Sequence, residues 1–110
     1  MGDRILALDL GTSTGWAIWA GGTVFSGVWV LASPRELEAQ RRDGRARTCN
    51  LRFTRLLRHL RETVRQYPTV SIAFEDVRFQ SSCAQTQLWA SFRAAIWAVA
   101  SESGLRVDCV

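Results

Sequence analysis

From Leu10 to Pro34 the chain carries no charged side chain, and this stretch holds five glycines among Trp, Val, Ile, Phe, Thr and Ser. So many glycines exclude a membrane-spanning helix, and β-branched and aromatic runs between glycine turns are the pattern of strands. Trp16–Ala20 is predicted as one strand and Thr23–Leu31 as the next, with Gly21-Gly22 as the hairpin signal between them. Arg4–Asp9 precedes them as a strand that is apolar on both alternating faces, which suits a central strand covered from both sides. Gly11 through Gly15 makes the tight turn, so the chain is expected to open with a three-stranded antiparallel meander.

Ser33-Pro34-Arg35-Glu36 is a helix start, with Ser as N-cap, Pro at the first helical position and Glu completing a capping box. Asp43-Gly44 interrupts this helix. Its register resumes with Phe53, Leu56, Leu57, Leu60 and Val64 on one face, and Tyr67-Pro68 ends it. Val70–Glu75 reads as a second buried strand. A further helix is predicted from about Ser82 to Ser103, with a Leu88, Phe92, Ile96, Val99 stripe and an Ala90, Ala94, Ala98 stripe, stopped by Gly104 before a last strand at Leu105. The order β-β-β-α-β-α-β is that of a mixed α/β layer fold.

The 110 residues make one domain, long enough for a core of its own, and 47% hydrophobic against 22% charged residues excludes wholesale disorder. Cys49, Cys83 and Cys109 form no Cys-x-x-Cys pair, and His59 is the only histidine, so structural zinc is not expected. Three buried, unpaired thiols in a reducing compartment are expected instead. Asp3, Arg4 and Asp9 spoil any signal peptide, which points to a soluble cytoplasmic protein. All 14 cations are arginine, and ten of them lie between Arg35 and Arg65 against Glu36, Glu38, Asp43 and Glu62, a local balance of +6 within a total of +4. Arginine offers bidentate contacts to phosphate, so the block points to a polyanion partner; a solvated helix face gives the same arithmetic.

Asp9 and Glu75 are the informative residues. Each ends a strand that is otherwise apolar, at the edge where open α/β sheets bind ligands. Asp9 shares its face with Ile5 and Ala7, and Glu75 shares its face with Ser71 and Ala73. If the two strands are neighbours, two carboxylates converge beside small side chains and repel each other unless a cation or proton intervenes. Hard oxygen donors favour Mg²⁺ or Mn²⁺ and metal-assisted phosphoryl chemistry. Asp76 falls on the opposite face by alternation.

Residues Ile5–Ala17, with Asp9-Leu10-Gly11-Thr12 at their centre, resemble the opening hairpin of RuvC-type Holliday-junction resolvases, especially a phage-borne branch. Ile72-Ala73-Phe74-Glu75-Asp76-Val77 is similar to that family's second acidic strand, and Phe79 through Ile96 resembles its loop and dimer helix. The resemblance implies one RNase H-like nuclease domain over residues 1–110 and a cytoplasmic homodimer, of phage or prophage origin, that cuts branched DNA with two Mg²⁺ or Mn²⁺ ions. Asp9 and Glu75 match its first two metal ligands. Phe79 matches an aromatic that stacks on a base, a core-facing Phe79 being the alternative. Arg45, Arg47 and Arg52 of the basic block, with Arg78, Gln80 and Ser82, are the candidate DNA contacts, and Leu88, Trp89, Phe92 and Ile96, with Trp97 beside them, the candidate dimer face, ordinary core packing being the alternative. The family completes its site with acids on a C-terminal helix; here only Glu102 and Asp108 follow Asp76, on elements that do not match. The expectation is therefore a domain truncated before that helix, with weak or absent cleavage.

Two rivals remain open. Asp-Leu-Gly-Thr-Ser-Thr-Gly also looks like the phosphate hairpin of actin-like ATPases and sugar kinases, which need a second lobe. A non-catalytic DNA-binding or dimerisation module is the other. A related nuclease branch, the RuvX-type proteins, shares the Asp-x-Gly-Thr start, and the stretch after Glu75 fits the resolvases better.

Overall fold

A hydroxyl closes the first turn. Thr14 Oγ1 donates to the Gly11 carbonyl at 2.7 Å and accepts from the Gly11 N–H at 3.3 Å, which leaves Ser13 already extended. Strand β1 (Arg4–Asp9) therefore meets β2 (Ser13–Ala20) over its whole length, from Arg4 opposite Ala20 to Asp9 opposite Gly15. The second strand begins three residues earlier than its apolar run predicts. Gly21 and Gly22, at φ 57° and 92°, then turn the chain into β3 (Thr23–Val30), the two positive angles that a tight two-residue hairpin requires.

The structure, a computed structural model, describes residues 4–43, 50–68, 71–75 and 82–110. Helix α1 (Pro34–Asp43) starts on the expected capping box: Glu36 N–H donates to Ser33 Oγ at 3.1 Å, and Ser33 N–H donates to Glu36 Oε1 at 3.0 Å. Helix α2 (Leu51–Gln66) has its own N-cap, Asn50, whose side chain accepts from Arg52 and Phe53 N–H groups. The arginine-rich segment thus forms two helices. Strand β4 (Ser71–Phe74) leads to helix α3 (Cys83–Ser103), capped by Ser82 and terminated by Gly104 at φ 67°, and then to β5 (Arg106–Cys109).

The sheet order is β3-β2-β1-β4-β5. The meander is antiparallel, while β1, β4 and β5 run parallel, with α1 and α2 between β3 and β4 and α3 between β4 and β5. Leu6, Leu8, Ile18, Ile72 and Phe74 send one face of the sheet into a core shared with Leu56 and Leu60 of α2 and Phe92, Ala95, Ile96 and Val99 of α3. Each such large side chain is worth about 1.5–3 kcal/mol relative to exposure. The other face differs from expectation. β1 is covered on one side only: Leu6 is fully buried while Ala7 beside it is exposed. Trp19, Val24, Val28 and Val30 fall on that same open face by register and are exposed. Periodicity alone cannot show this, because Ile5 and Ala7 are apolar whether or not anything covers them.

On the core side, an aromatic stack braces the meander. Trp16 lies 5.8 Å from Trp29, and Trp29 lies 4.9 Å from His59 with the rings 6° from parallel. Cys83 and Cys109 are free and exposed rather than buried, since one opens α3 and the other ends the edge strand β5; Cys49 lies outside the described residues. No described helix is long and apolar enough to cross a membrane.

Candidate functional site

The parallel pairing of β1 and β4 aligns Ala7 with Ala73 and Leu8 with Phe74, so Asp9 and Glu75 occupy the next position on adjacent strands. Neighbouring strands lie about 4.8 Å apart, and alternation puts both acids on the open face beyond the two alanines. Both are exposed. Their surroundings leave room. Ala7, Leu8, Ala73, Phe74, Glu75 and Val110 line an open hollow of about 500 Å³. Opposite Asp9 on β2 stands Gly15, which presents no side chain. Val110 N–H donates to the Phe74 carbonyl at 2.9 Å and ties the chain end beside Glu75.

The register adds a residue that the sequence reading set aside. Asp108 pairs with Ala73 and therefore shares the open face, one row behind the two acids. Its carboxylate is held by Arg106 Nε at 3.2 Å. The alternation Arg106, Asp108, Val110 was the available signal. Among the described residues there is no group of three or more His, Cys, Asp or Glu side chains that could hold a metal ion. Asp9 and Glu75 are a pair of hard donors, which suits a cation such as Mg²⁺ that takes one or two carboxylates and fills its other positions with water and phosphate oxygens.

Several candidate DNA contacts behave differently from the expectation of a free basic block. Arg52 turns inward: Nη1 donates to Thr12 Oγ1 at 3.1 Å, Nε is buried without a partner among the described residues, and burial lowers its pKa. Arg55 is taken by Glu36 and the Leu31 carbonyl, Arg41 and Arg42 by Glu38, and Arg61 by Glu102 at 2.7 Å. Four arginines of the block are thus held by three carboxylates of the chain. Arg58 and Arg65 stay exposed and make no hydrogen bond or ion pair among the described residues. Ser82 is exposed and spends its hydroxyl on the Gln85 N–H at 3.1 Å. Arg45, Arg47, Asp76, Arg78, Phe79 and Gln80 lie outside the described residues.

Three of the four candidate dimer residues are core residues of the single chain. Leu88, Phe92 and Ile96 are 8%, 0% and 0% exposed and pack into the core, and Trp89 is half-buried with its ring edge-on to Phe92. Leu88, Phe92 and Ile96 face the sheet and α2, while Trp89 remains partly accessible. The face α3 leaves to solvent carries Ala90, Ala94, Trp97 and Ser101, an uncharged stripe about 16 Å long. Both faces of α3 are apolar, and the larger side chains went to the core.

No protein-family model matches the sequence, and no curated protein matches it. Solved structures do. The chain is similar to Thermus thermophilus RuvC in complex with a Holliday-junction substrate, with a TM-score of 0.74 at 18% identity over 99% of this chain and 64% of that one. It is also similar to a second Thermus thermophilus RuvC structure, with a TM-score of 0.63 at 18% identity over 97% of this chain and 63% of that one. The chain spans less than two thirds of the length of either. At this identity the likeness establishes the fold: a mixed five-stranded α/β sheet with a strand order consistent with the RNase H-like class.

Proposed function

We propose that the chain belongs to a divalent-metal-dependent endodeoxyribonuclease that resolves four-way or branched DNA junctions and acts as a homodimer. The observation that carries this reading is the placement of Asp9 and Glu75 on adjacent parallel strands, one position beyond the Leu8–Phe74 pair. The likeness to RuvC in complex with a Holliday-junction substrate supports the substrate class.

In this reading the two carboxylates hold Mg²⁺ or Mn²⁺, two ions per complete site. A bound metal would supply Lewis-acid activation of water and charge neutralisation at the leaving oxygen. The chain's own residues do the rest. Asp9 and Glu75 would hold the cation, and both are exposed, so a phosphodiester reaches them without rearrangement of the core. The alanine floor of the hollow leaves space for a phosphate and its water. Phe79, Arg78 and Gln80 are proposed to contact DNA beside the junction, with Ser82 at the start of α3 and Arg45, Arg47 and Arg58 on phosphates. A two-fold dimer through the exposed face of α3 presents two such sites to a two-fold symmetric junction.

The test is nicking of a synthetic four-way junction against a linear duplex in Mg²⁺ or Mn²⁺. Junction-selective cleavage that Asp9→Asn and Glu75→Gln abolish supports the reading. Cleavage that survives both substitutions overturns the metal-site assignment.

A further inference from the structure

Among the described residues, β2 offers only Gly15 across from Asp9, and Glu75 on β4 is itself exposed. The ladder between β1 and β2 ends at the Asp9–Gly15 pair, so the turn that follows is what holds this last strand position in place. Leu10 anchors that segment in the core, and Gly11 is closed onto Thr14 by two hydrogen bonds. Thr12 is held from two sides: its carbonyl accepts from the Leu31 N–H at 2.7 Å, and its hydroxyl accepts from Arg52 Nη1 at 3.1 Å. Arg52 lies 40 residues away in the chain, in the first turn of α2, and its bond joins that helix to the turn behind Asp9.

This bond is an expensive way to fasten a turn. Among the described residues Arg52 Nε has no partner, and burying an unpaired donor is unfavourable. An aliphatic side chain of the same length would fill the space without that penalty and without the bond to Thr12. The cost makes sense if a precise turn is worth more than the stability lost.

We propose that Arg52 is a positioning residue for the carboxylate pair: by fixing Thr12 it sets the main chain that presents Asp9 beside Glu75, and so sets the pair's affinity for a divalent cation. This rests on the reading of Asp9 and Glu75 as a cation-binding pair. It differs from a DNA-contacting role for Arg52, because the guanidinium is directed into the protein. Thr12 and Arg52 then act as one unit, and breaking either end has the same consequence.

The experiment is Mn²⁺ binding to the purified chain, read from the free-ion electron paramagnetic resonance signal, with circular dichroism confirming the folded fraction of each variant. Asp9→Asn abolishes binding. Arg52→Met and Thr12→Val each weaken it about 10-fold, the lower end of what loss of an outer-shell partner costs a metal site. The double variant is no weaker than either single one, and Arg52→Lys recovers part of the affinity as a one-point donor. Affinity per folded molecule is the readout that a purely stabilising contact does not move. An unchanged Mn²⁺ affinity in Arg52→Met or Thr12→Val, with Asp9→Asn still abolishing binding, overturns the positioning role and leaves the carboxylate pair intact. Binding indifferent to Asp9→Asn, or no binding by the unsubstituted chain, overturns the metal reading itself. If Arg52→Met does not fold, Thr12→Val carries the same test, since it removes one hydroxyl from a half-buried turn.

Discussion

Glu36 and Arg55 form a two-point ion pair between α1 and α2: Nη1 lies 2.9 Å from Oε1, and Nη2 is bonded to Oε2. The same Nη1 donates to the Leu31 carbonyl at 3.0 Å, so one guanidinium ties both helices to the end of β3. Glu36 is also the capping-box acid of α1, accepting the Ser33 N–H. A single carboxylate thus closes a helix start and a tertiary contact.

This pairing makes stability depend on acid. The Arg55 guanidinium, with the Ser33 N–H, holds the Glu36 carboxyl at about 2 instead of 4.5. A depressed carboxylate binds fewer protons in the folded than in the unfolded chain, so its contribution is complete above about pH 4.5 and is lost as pH falls towards 2. His59 acts in the same direction at higher pH. Burial and the nearby Arg58 and Arg55 lower its pKa below 6.5, so its contribution is present above that value and declines as pH falls below it. Urea midpoints measured from pH 7 to pH 2.5 are expected to fall in both windows. Glu36→Gln should flatten the acid limb and leave the His59 window unchanged; an acid limb as steep as in the unsubstituted chain refutes the assignment.

Gly27 is required by its neighbour on β2. A Cβ added there would sit 2.8 Å from Trp16 Cζ2 and 2.9 Å from two further atoms of the indole, closer than real contacts allow. Trp16 is itself stacked on Trp29, so the ring cannot move without disturbing the stack. Gly27→Ala is expected to cost about 1–3 kcal/mol, the usual penalty of overpacking, and to weaken the near-ultraviolet circular dichroism of the tryptophans. Adding Trp16→Leu should recover part of the loss. A Gly27→Ala variant with unchanged denaturant midpoint would show that the ring is free to shift.

The parts of this molecule legible in its sequence are the local ones and those set by alternation. Ser33, Ser82 and Gly104 mark helix ends because a cap needs one residue type at one position. Asp9 and Glu75 stood out because an acid ending an apolar strand is conspicuous, and their alignment followed once β1 and β4 proved to be parallel neighbours. What was not legible depends on distant partners. The arginine block reads as free charge, yet Arg55 finds Glu36 at a separation of 19 residues, Arg52 finds Thr12 at 40 and Arg61 finds Glu102 at 41. The choice of core face on α3 was equally hidden, because an alanine stripe and a leucine–phenylalanine stripe both satisfy the helical period.

The pairing inside the arginine block narrows the candidate phosphate contacts in the described helices. Arg58 and Arg65 are exposed without an ion-pair partner, whereas Arg52 and Arg55 are engaged by the protein. If α2 follows a DNA backbone, replacing Arg58 and Arg65 with Gln should reduce the slope of log K against log salt by about 0.9 per lost phosphate contact. The comparison is made on a four-way junction with the Asp9→Asn chain, so that cleavage does not interfere. Glu102→Gln frees Arg61 and should tighten binding. An identical slope for the Arg58 and Arg65 variant would remove α2 from the DNA surface.

The last prediction separates the two faces of α3. Phe92 is fully buried and meets Trp89 edge-on with centroids 5.9 Å apart, so Phe92→Ala opens a cavity under the sheet. It is expected to cost about 3–5 kcal/mol, enough to unfold much of a marginally stable chain. Trp97 is 56% exposed on the opposite, uncharged face, so Trp97→Ala removes little core packing and should shift the denaturant midpoint hardly at all. Its effect should fall on self-association. If α3 is the dimer helix, packing of the Ala90, Ala94 and Ser101 stripe against its two-fold copy places the Trp97 rings across the contact. Sedimentation at graded concentrations should show a dimer that Trp97→Ala or Ala94→Glu converts to monomer while circular dichroism stays unchanged. A dimer that survives both substitutions places the subunit contact elsewhere. The exposed apolar face of β2 and β3 around Trp19 and Val28 is then the next surface to substitute.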